Sequence, residues 1–296
     1  MDILVLGGTG MLGHKMFQTL GKRFAETWCT IRRSLADPVL GKIDIFRNGR
    51  VLEIDATDFS CLEKALLDRR PRVIVNCIGV VKQRPEAAAP IPSIVINSLL
   101  PHRLLEICQR WDGRLIHIST DCVFSGRKGG YAETDISDAE DLYGRTKFLG
   151  EVQGQSALTL RTSMIGRELF HFQSLLEWFL SQRGGQVKGF TRALLSGVTT
   201  NLLCEVVADI IADHSRLSGL YQVTGPTISK FELLGVLRDA YGLDIQIEPD
   251  TDFACDRSMR GEKFQQATGF RSPTWPELAA QLVADPTPYD AWRQSP

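Results

Sequence analysis

Residues 3–13 read Ile3-Leu4-Val5-Leu6-Gly7-Gly8-Thr9-Gly10-Met11-Leu12-Gly13, and an amphipathic stretch continues from there to residue 23. A short, uninterrupted apolar run reads as a strand buried on both faces, the kind found in parallel sheets covered by helices. The small residues after it let the backbone turn tightly and approach a bound group closely. The helix that follows opens with unpaired N–H groups that favour negative charge. Strand, glycine loop and helix in this order predict a site for the pyrophosphate of a dinucleotide, held by Gly7, Thr9, Gly10, Met11, Leu12 and Gly13. The spacing Gly7-x-x-Gly10-x-x-Gly13 differs by one residue from the GxGxxG of many dehydrogenases, so the context carries the reading rather than the glycines alone.

The same rhythm continues outward. Apolar runs recur at Thr27–Ile31, Val51–Ile54, Val73–Ile78, Leu115–Ile118 and Leu158–Leu160, separated by amphipathic stretches over 58–69, 94–111 and 141–154. Such alternation predicts right-handed βαβ units and an α/β fold with a doubly wound parallel sheet. Beyond residue 165 the pattern changes to mixed pieces. Helices are expected over 172–181, 199–214, 230–241 and 276–284, and a strand over Gly219–Val223. The expected organisation is a dinucleotide-binding domain over 1–164, to which 196–225 returns. A second, smaller mixed α/β substrate domain takes 165–195 and 226–296. The Pro-rich end, Pro286 to Pro296, is expected to fray.

Composition excludes several classes. Hydrophobic residues make up 43% and charged residues 23%, with a net charge of -1. That balance gives a globular core and no global attraction to nucleic acid or an anionic membrane. The seven cysteines are scattered without a CxxC pair, which argues against a zinc site or a disulfide framework, so no metal is expected. No signal peptide and no bilayer-spanning run is read, and a cytoplasmic location is expected. A homodimer is compatible with the sequence.

Cofactor choice is read near the end of the second strand. NAD-binding sheets usually carry an acidic residue there for the ribose 2′-hydroxyl. This chain has Thr30-Ile31-Arg32-Arg33 instead, and two guanidinium groups suit a 2′-phosphate, although they would equally solvate a loop. NADPH is therefore expected, with NADH the lesser alternative. Further on, Tyr143-Gly144-Arg145-Thr146-Lys147 puts a phenol and an ammonium on one helix face. The cation is expected to lower the phenol's pKa, so that Tyr143 exchanges a proton with a carbonyl or alcohol oxygen while Lys147 also holds the nicotinamide ribose. Upstream, Ser119-Thr120-Asp121 ends a buried strand, where ligands of open α/β sheets bind. Either Ser119 or Thr120 is placed to orient the same substrate oxygen, whereas Asp121 reads better as a cap. None of the five histidines lies in a ligand-spaced cluster, and His117 reads as a satisfied core residue.

In this order the motifs resemble the extended short-chain dehydrogenases/reductases, and more narrowly the dTDP-4-dehydrorhamnose reductase family of nucleotide-sugar 4-ketoreductases. The resemblance spans nearly the whole chain. It is carried by GGTGMLG at 7–13, Asp55, Val75-Asn76-Cys77-Ile78-Gly79, Asn97, STDCVFSG at 119–126, YGRTK at 143–147 and LRTSMIG at 160–166. It implies a Rossmann sheet and a catalytic triad of Thr120, Tyr143 and Lys147. It further implies that Asp55, with Ala56, contacts the adenine. Cys77, Ile78 and Gly79 would pass the ribose and pyrophosphate, and Asn97 and Ser119 would border the cofactor. A nucleotide sugar would meet Lys82, Val123, Tyr143, Met164 and Arg257. Arg260 competes with Arg257 for the diphosphate.

Two departures bear on the substrate. Met164 stands where the rhamnose enzymes usually have tryptophan, and Val81-Lys82-Gln83-Arg84-Pro85 differs from the usual sequence after the fourth strand. A different 4-keto sugar, N-acetylated or carried on UDP, fits equally well. Two other functions share this pattern: a nucleotide-sugar epimerase with tightly bound NAD, and a non-catalytic subunit of the kind that binds methionine adenosyltransferase. Function lives in sites rather than folds, so the fold alone does not separate them.

Overall fold

The computed structural model describes residues 1–47, 49–81 and 89–293. Strands in chain order are β1 (Asp2–Leu6), β2 (Glu26–Ile31), β3 (Val51–Glu53), β4 (Val73–Asn76), β5 (Arg114–Thr120), β6 (Ala157–Thr162), β7 (Met164–Ile165), β8 (Gln186–Leu195), β9 (Val198–Thr199), β10 (Gly219–Gln222), β11 (Ile228–Ser229) and β12 (Gln246–Asp256). Among the described residues, seven strands form one parallel sheet in the order β10-β6-β5-β4-β1-β2-β3. Chain order reverses between β1 and β4, and a crevice opens at such a switch point beyond the carboxyl ends of the strands. The α/β class and the doubly wound parallel sheet are thus what the sequence predicts.

Helices cover both faces. Met11–Arg23 and Thr200–Asp213 pack on one side with Met16, Leu20, Leu203 and Val207, while Leu62, Leu66, Leu100 and Leu104 cover the other. Burial of the strands on both faces explains their unbroken apolar runs. A second, smaller sheet of order β11-β8-β12 packs against Lys230–Tyr241 and Trp275–Val283, through Val187, Leu233, Leu237, Trp275 and Leu278. The long strands β8 and β12 went unread in the sequence. Strand β8 interleaves polar and apolar residues, and β12 is a largely polar edge strand that tolerates Pro249 and a bulge between Asp250 and Ala254. Helix Leu142–Leu149 is also shorter than expected. It stops at Gly150, where a Cβ would lie 1.9 Å from the Asn97 carbonyl oxygen, so the close approach there requires glycine.

The C-terminal end corrects a second expectation. Its described part does not fray but folds back as a helix, Tyr289–Arg293, onto the first helix of the chain. His14 is fully buried, with Nδ1 2.8 Å from the Gly10 carbonyl oxygen and Nε2 2.8 Å from the Tyr289 hydroxyl. A carbonyl only accepts, so Nδ1 carries the proton and Nε2 accepts from Tyr289. Lys15 pairs with Asp285 at 2.5 Å, and Arg167 joins Asp290 to Glu177 at 2.7 Å each.

Burial pushes His14 down to about 4. Between pH 6.5 and 4 the unfolded chain therefore binds a proton at this position that the folded chain refuses, and stability falls with pH. The loss at pH 4 should be on the order of 3 kcal/mol. Urea unfolding of His14→Gln at pH 7 and 4.5 should show a shallower acid loss than the parent. Identical losses would place the acid sensitivity elsewhere.

Candidate active site

The crevice is built from the β1 turn outward. Gly7 has φ +86°, a conformation that suits glycine, and its N–H donates to Thr30 Oγ1 at 3.1 Å. Gly8 N–H donates to the Thr30 carbonyl at 2.7 Å, which ties the turn to β2. A Cβ on Gly13 would lie 2.0 Å from the Gly7 carbonyl oxygen, so helix and turn touch backbone to backbone. The helix Met11–Arg23 has no side-chain cap at Gly10 and no acidic residue in its first turn. Its first N–H groups therefore face the crevice with their positive end uncompensated, which fits a pyrophosphate. Leu12 is buried in the core beneath it, while Thr9, Gly10 and Met11 remain partly open.

Across the crevice, Ile78 touches the same turn: a Cβ on Gly7 would come within 2.9 Å of Ile78 Cγ1. Ile78 N–H donates to Asn76 Oδ1 at 3.1 Å, which fixes the Cys77-Ile78-Gly79 turn. Asn97 is 1% exposed, with Oδ1 accepting from Val80 N–H at 2.9 Å and Nδ2 donating to the Val80 carbonyl at 3.1 Å. It shapes the wall of the crevice from behind. Asp55 accepts from Thr57 N–H and hydroxyl at 2.9 and 2.8 Å, and Ala56 packs against the core. Arg32 and Arg33 are exposed just past β2; Arg33 lies 3.6 Å from Asp37 and over the Phe170 ring.

Thr120, Tyr143 and Lys147 come together at the end of β5. Asp141 caps helix Leu142–Leu149 by accepting from Gly144 N–H at 2.8 Å. A Cβ on Gly144 would lie 2.2 Å from the Cys122 carbonyl oxygen, so this helix presses directly on the segment after β5. The Tyr143 phenol interacts with the Thr120 hydroxyl, which itself donates to Asp121 Oδ1 and accepts from Cys122 N–H at 3.1 Å each. Lys147 is 4% exposed and donates from Nζ to the Ile118 carbonyl at 2.8 Å. Burial lowers its pKa to about 8, against the opposing pull of Glu151 and Cys77.

The phenol itself departs from expectation. Burial, reinforced by the Cys122 thiol, raises the Tyr143 pKa above the usual tyrosine value, and the Thr120 hydrogen bond offsets this only in part. Lys147, directed at the Ile118 carbonyl, does not produce the expected lowering in this arrangement.

Of the two hydroxyls, Thr120 stands with Tyr143. Ser119 points to the opposite face of the strand and donates to Glu151 Oε1 at 2.7 Å. Val123 is fully buried in a small apolar cluster with Phe124, Tyr131 and Met259, so its side chain lines no opening. Met164 is half-buried in β7. Lys82 lies outside the described residues. His117 is buried as expected, its Nδ1 3.1 Å from Asn76 Nδ2, but its Nε2 finds no partner among the described residues, so it is not the satisfied residue the sequence suggested.

Arg257 donates from Nε to the Phe124 carbonyl at 2.9 Å and reaches Cys122 Sγ at 3.6 Å. It lines a cavity of ≈ 860 Å³ with Arg127, Asp141, Arg192 and Phe253. Arg260 lines a separate cavity of ≈ 580 Å³. Arg192 and Phe253 escaped the sequence reading because β8 and β12 did, and Arg127 because it lies just past the 119–126 motif. No group of three or more His, Cys, Asp or Glu side chains that could hold a metal is found among the described residues, and none of the described helices is long and apolar enough to cross a membrane.

A parallel sheet of this order, with a glycine loop after β1 and a Tyr-x-x-x-Lys helix after β5, defines an extended short-chain dehydrogenase/reductase. Residues 1–287 match the RmlD substrate binding domain family, and the chain belongs to it. It is 33% identical over 150 residues to the dTDP-4-keto-6-deoxy-D-glucose reductase of Streptomyces niveus, covering 50% of this chain and 45% of that protein. It is 31% identical over 157 residues to the methionine adenosyltransferase 2 subunit beta of Pongo abelii, covering 50% and 41%. The chain thus spans about half the length of the curated relatives it matches. The dTDP-4-dehydrorhamnose reductase of Bacillus anthracis, solved with NADP, has the same fold at 18% identity, with a TM-score of 0.78 over 96% of this chain and 99% of that one.

Gly13→Ala should destabilise the chain by about 1–3 kcal/mol, because the added methyl drives the helix off the turn. Gly21→Ala in the same helix meets nothing within 4 Å and should stabilise by about 0.5–1 kcal/mol. Melting temperatures of the two variants measure the difference. Equal responses would mean that the helix does not rest on the turn.

Proposed function

We propose that the chain reduces the C4 ketone of a nucleotide-linked 6-deoxy sugar with NADPH. The observation that carries this reading is the meeting of Thr120, Tyr143 and Lys147 at the end of β5, between the glycine loop and the arginine-lined cavity. The loop 7–13, Arg32, Arg33, Asp55, Ala56, Cys77–Gly79, Asn97 and Lys147 would border the dinucleotide, whereas Ser119, turned to Glu151, would not. When bound, its nicotinamide supplies the hydride for the carbonyl carbon.

The chain's own residues handle the proton. A phenol whose pKa is raised stays protonated at neutral pH, which suits a donor to the carbonyl oxygen in the direction of reduction. Thr120 offers that oxygen a second hydrogen bond. Lys147, as a cation, offsets the charge left on the phenol oxygen as the proton departs. Arg127, Arg192 and Arg257 suit a diphosphate, and Phe253 offers a flat ring to a base. Met164 in place of the family's usual tryptophan favours a sugar other than that of dTDP-rhamnose synthesis.

A second reading, a binding subunit without turnover, draws on the likeness to methionine adenosyltransferase 2 subunit beta. Incubation with NADPH and a panel of dTDP-, UDP- and GDP-4-keto-6-deoxy sugars distinguishes the two by loss of nicotinamide absorbance. Turnover with at least one sugar is expected. None with any would favour the binding subunit, and tightly held NAD with no net consumption would favour an epimerase.

Tyr143→Phe should lower kcat by about 100-fold or more while leaving NADPH affinity intact. NADPH should exceed NADH in kcat/KM, and Arg32→Glu should erode that preference; equal values in the parent would remove Arg32 and Arg33 from the site. Since Lys147 loses its proton near 8, kcat should fall as pH rises through about 8. A flat profile to pH 9 would contradict a cationic Lys147.

A further inference from the structure

Beneath the site lies an ion pair that the proposed chemistry does not use. Arg161 of β6 and Glu151 are 2% and 4% exposed at their side chains, among the most enclosed charges of the protein. They pair in a bidentate fork, Nε to Oε1 and Nη2 to Oε2, both at 2.7 Å. A buried pair of this kind is weak evidence for stability, because well-packed apolar residues of similar volume often serve the fold as well or better. The rest of β6 is mostly apolar, Ala157-Leu158-Thr159-Leu160, so a leucine at 161 would suit the sheet.

The pair's position points to another role. Lys147 and Glu151 belong to one segment, and together they hold two successive residues of β5. Lys147 Nζ takes the Ile118 carbonyl, and Glu151 Oε1 takes the Ser119 hydroxyl. The next residue of the strand is Thr120. The strand register sets Ser119 beside Arg161 and Thr120 beside Thr162, so Arg161 holds the same carboxylate from the neighbouring strand. Gly150 makes this geometry available: the helix ends there against Asn97, and Glu151 turns inward under the sheet.

We propose that Glu151 and Arg161 are positioning residues, a buried pair that locks Ser119 next to Thr120 and supplies the counter-charge to Lys147. The groups facing Lys147 are Glu151 of its own segment, Cys77 after β4 and His117 of β5, with Arg161 behind Glu151. His117, buried and held neutral, adds no charge, so Glu151 is the carboxylate that opposes the desolvation of the ammonium. Arg161 keeps that carboxylate aimed through the two-point fork.

The role of the pair in turnover rests on the reductase reading above, whereas its effect on Lys147 does not. The test therefore begins without substrate. Protein carrying 13C-labelled lysine is titrated by NMR, with the Lys147 signal assigned from Lys147→Arg. Glu151→Gln should move the Lys147 titration down by about one pH unit or more. Because that variant leaves Arg161 unpaired and can fail to fold, the double variant Glu151→Gln/Arg161→Met removes both charges and is measured alongside it. Its Lys147 titration should also fall, and its kcat should drop with the alkaline limb moved to lower pH while the melting temperature holds. Glu151→Asp should restore part of both.

A double variant that folds and keeps the parent's Lys147 titration would overturn the proposal and leave the pair a purely structural element. If no sugar is turned over by the parent, the reductase reading fails, and the NMR titration still decides the counter-charge.

Discussion

The contact on which the rest of the structure depends is backbone against backbone: Gly13 of the first helix resting on the Gly7 carbonyl. With a Cβ only 2.0 Å from that oxygen, no other residue fits without parting helix from turn. This approach sets the helix N-terminus at the carboxyl end of β1, beside the point where the strand order reverses. Ile78 from β4 closes on the same turn from the other side. The crevice is therefore a consequence of sheet topology and of two glycines, before any catalytic residue is considered. The C-terminal segment then anchors the helix from behind, through His14 and Lys15.

The second organising feature is polar and lies under the sheet's carboxyl end. On one side of β4, β5 and β6 lie two buried hydrogen-bonded sets, Asn76 with His117 and Ser119 and Arg161 with Glu151. Lys147 enters this layer from the helix above. Such a network rigidifies a core when its members are paired. Here the Ser119–Glu151–Arg161 set lies next to Thr120 in the strand register.

Much of this was legible along the chain because it is local. Continuous apolar runs announce strands covered on both faces, and a Tyr and Lys four apart on a helix must share a side. The glycine loop is contiguous, so its reading needs no tertiary information. The failures are equally physical. Strand β12 is largely polar, interrupted by Pro249 and a bulge, and exposed on an edge, so no periodicity marks it, and β8 beside it mixes apolar residues with Lys188, Thr191 and Arg192. With them went Arg192 and Phe253. Tyr289 looked like part of a proline-rich end because its partner, His14, lies 275 residues away.

The sequence by itself determined the class of fold, the alternation of strands and helices, the glycine loop after the first strand and the shared helix face of Tyr143 and Lys147. Those properties follow from side-chain periodicity and from residues close in the chain. The three-dimensional arrangement decided what periodicity cannot express. It turned Thr120 rather than Ser119 toward the phenol, raised the pKa of that phenol instead of lowering it, and buried Val123. It also paired Glu151 with Arg161 across two elements. Burial and orientation depend on what every other segment leaves uncovered, and that is settled only when the whole chain has packed.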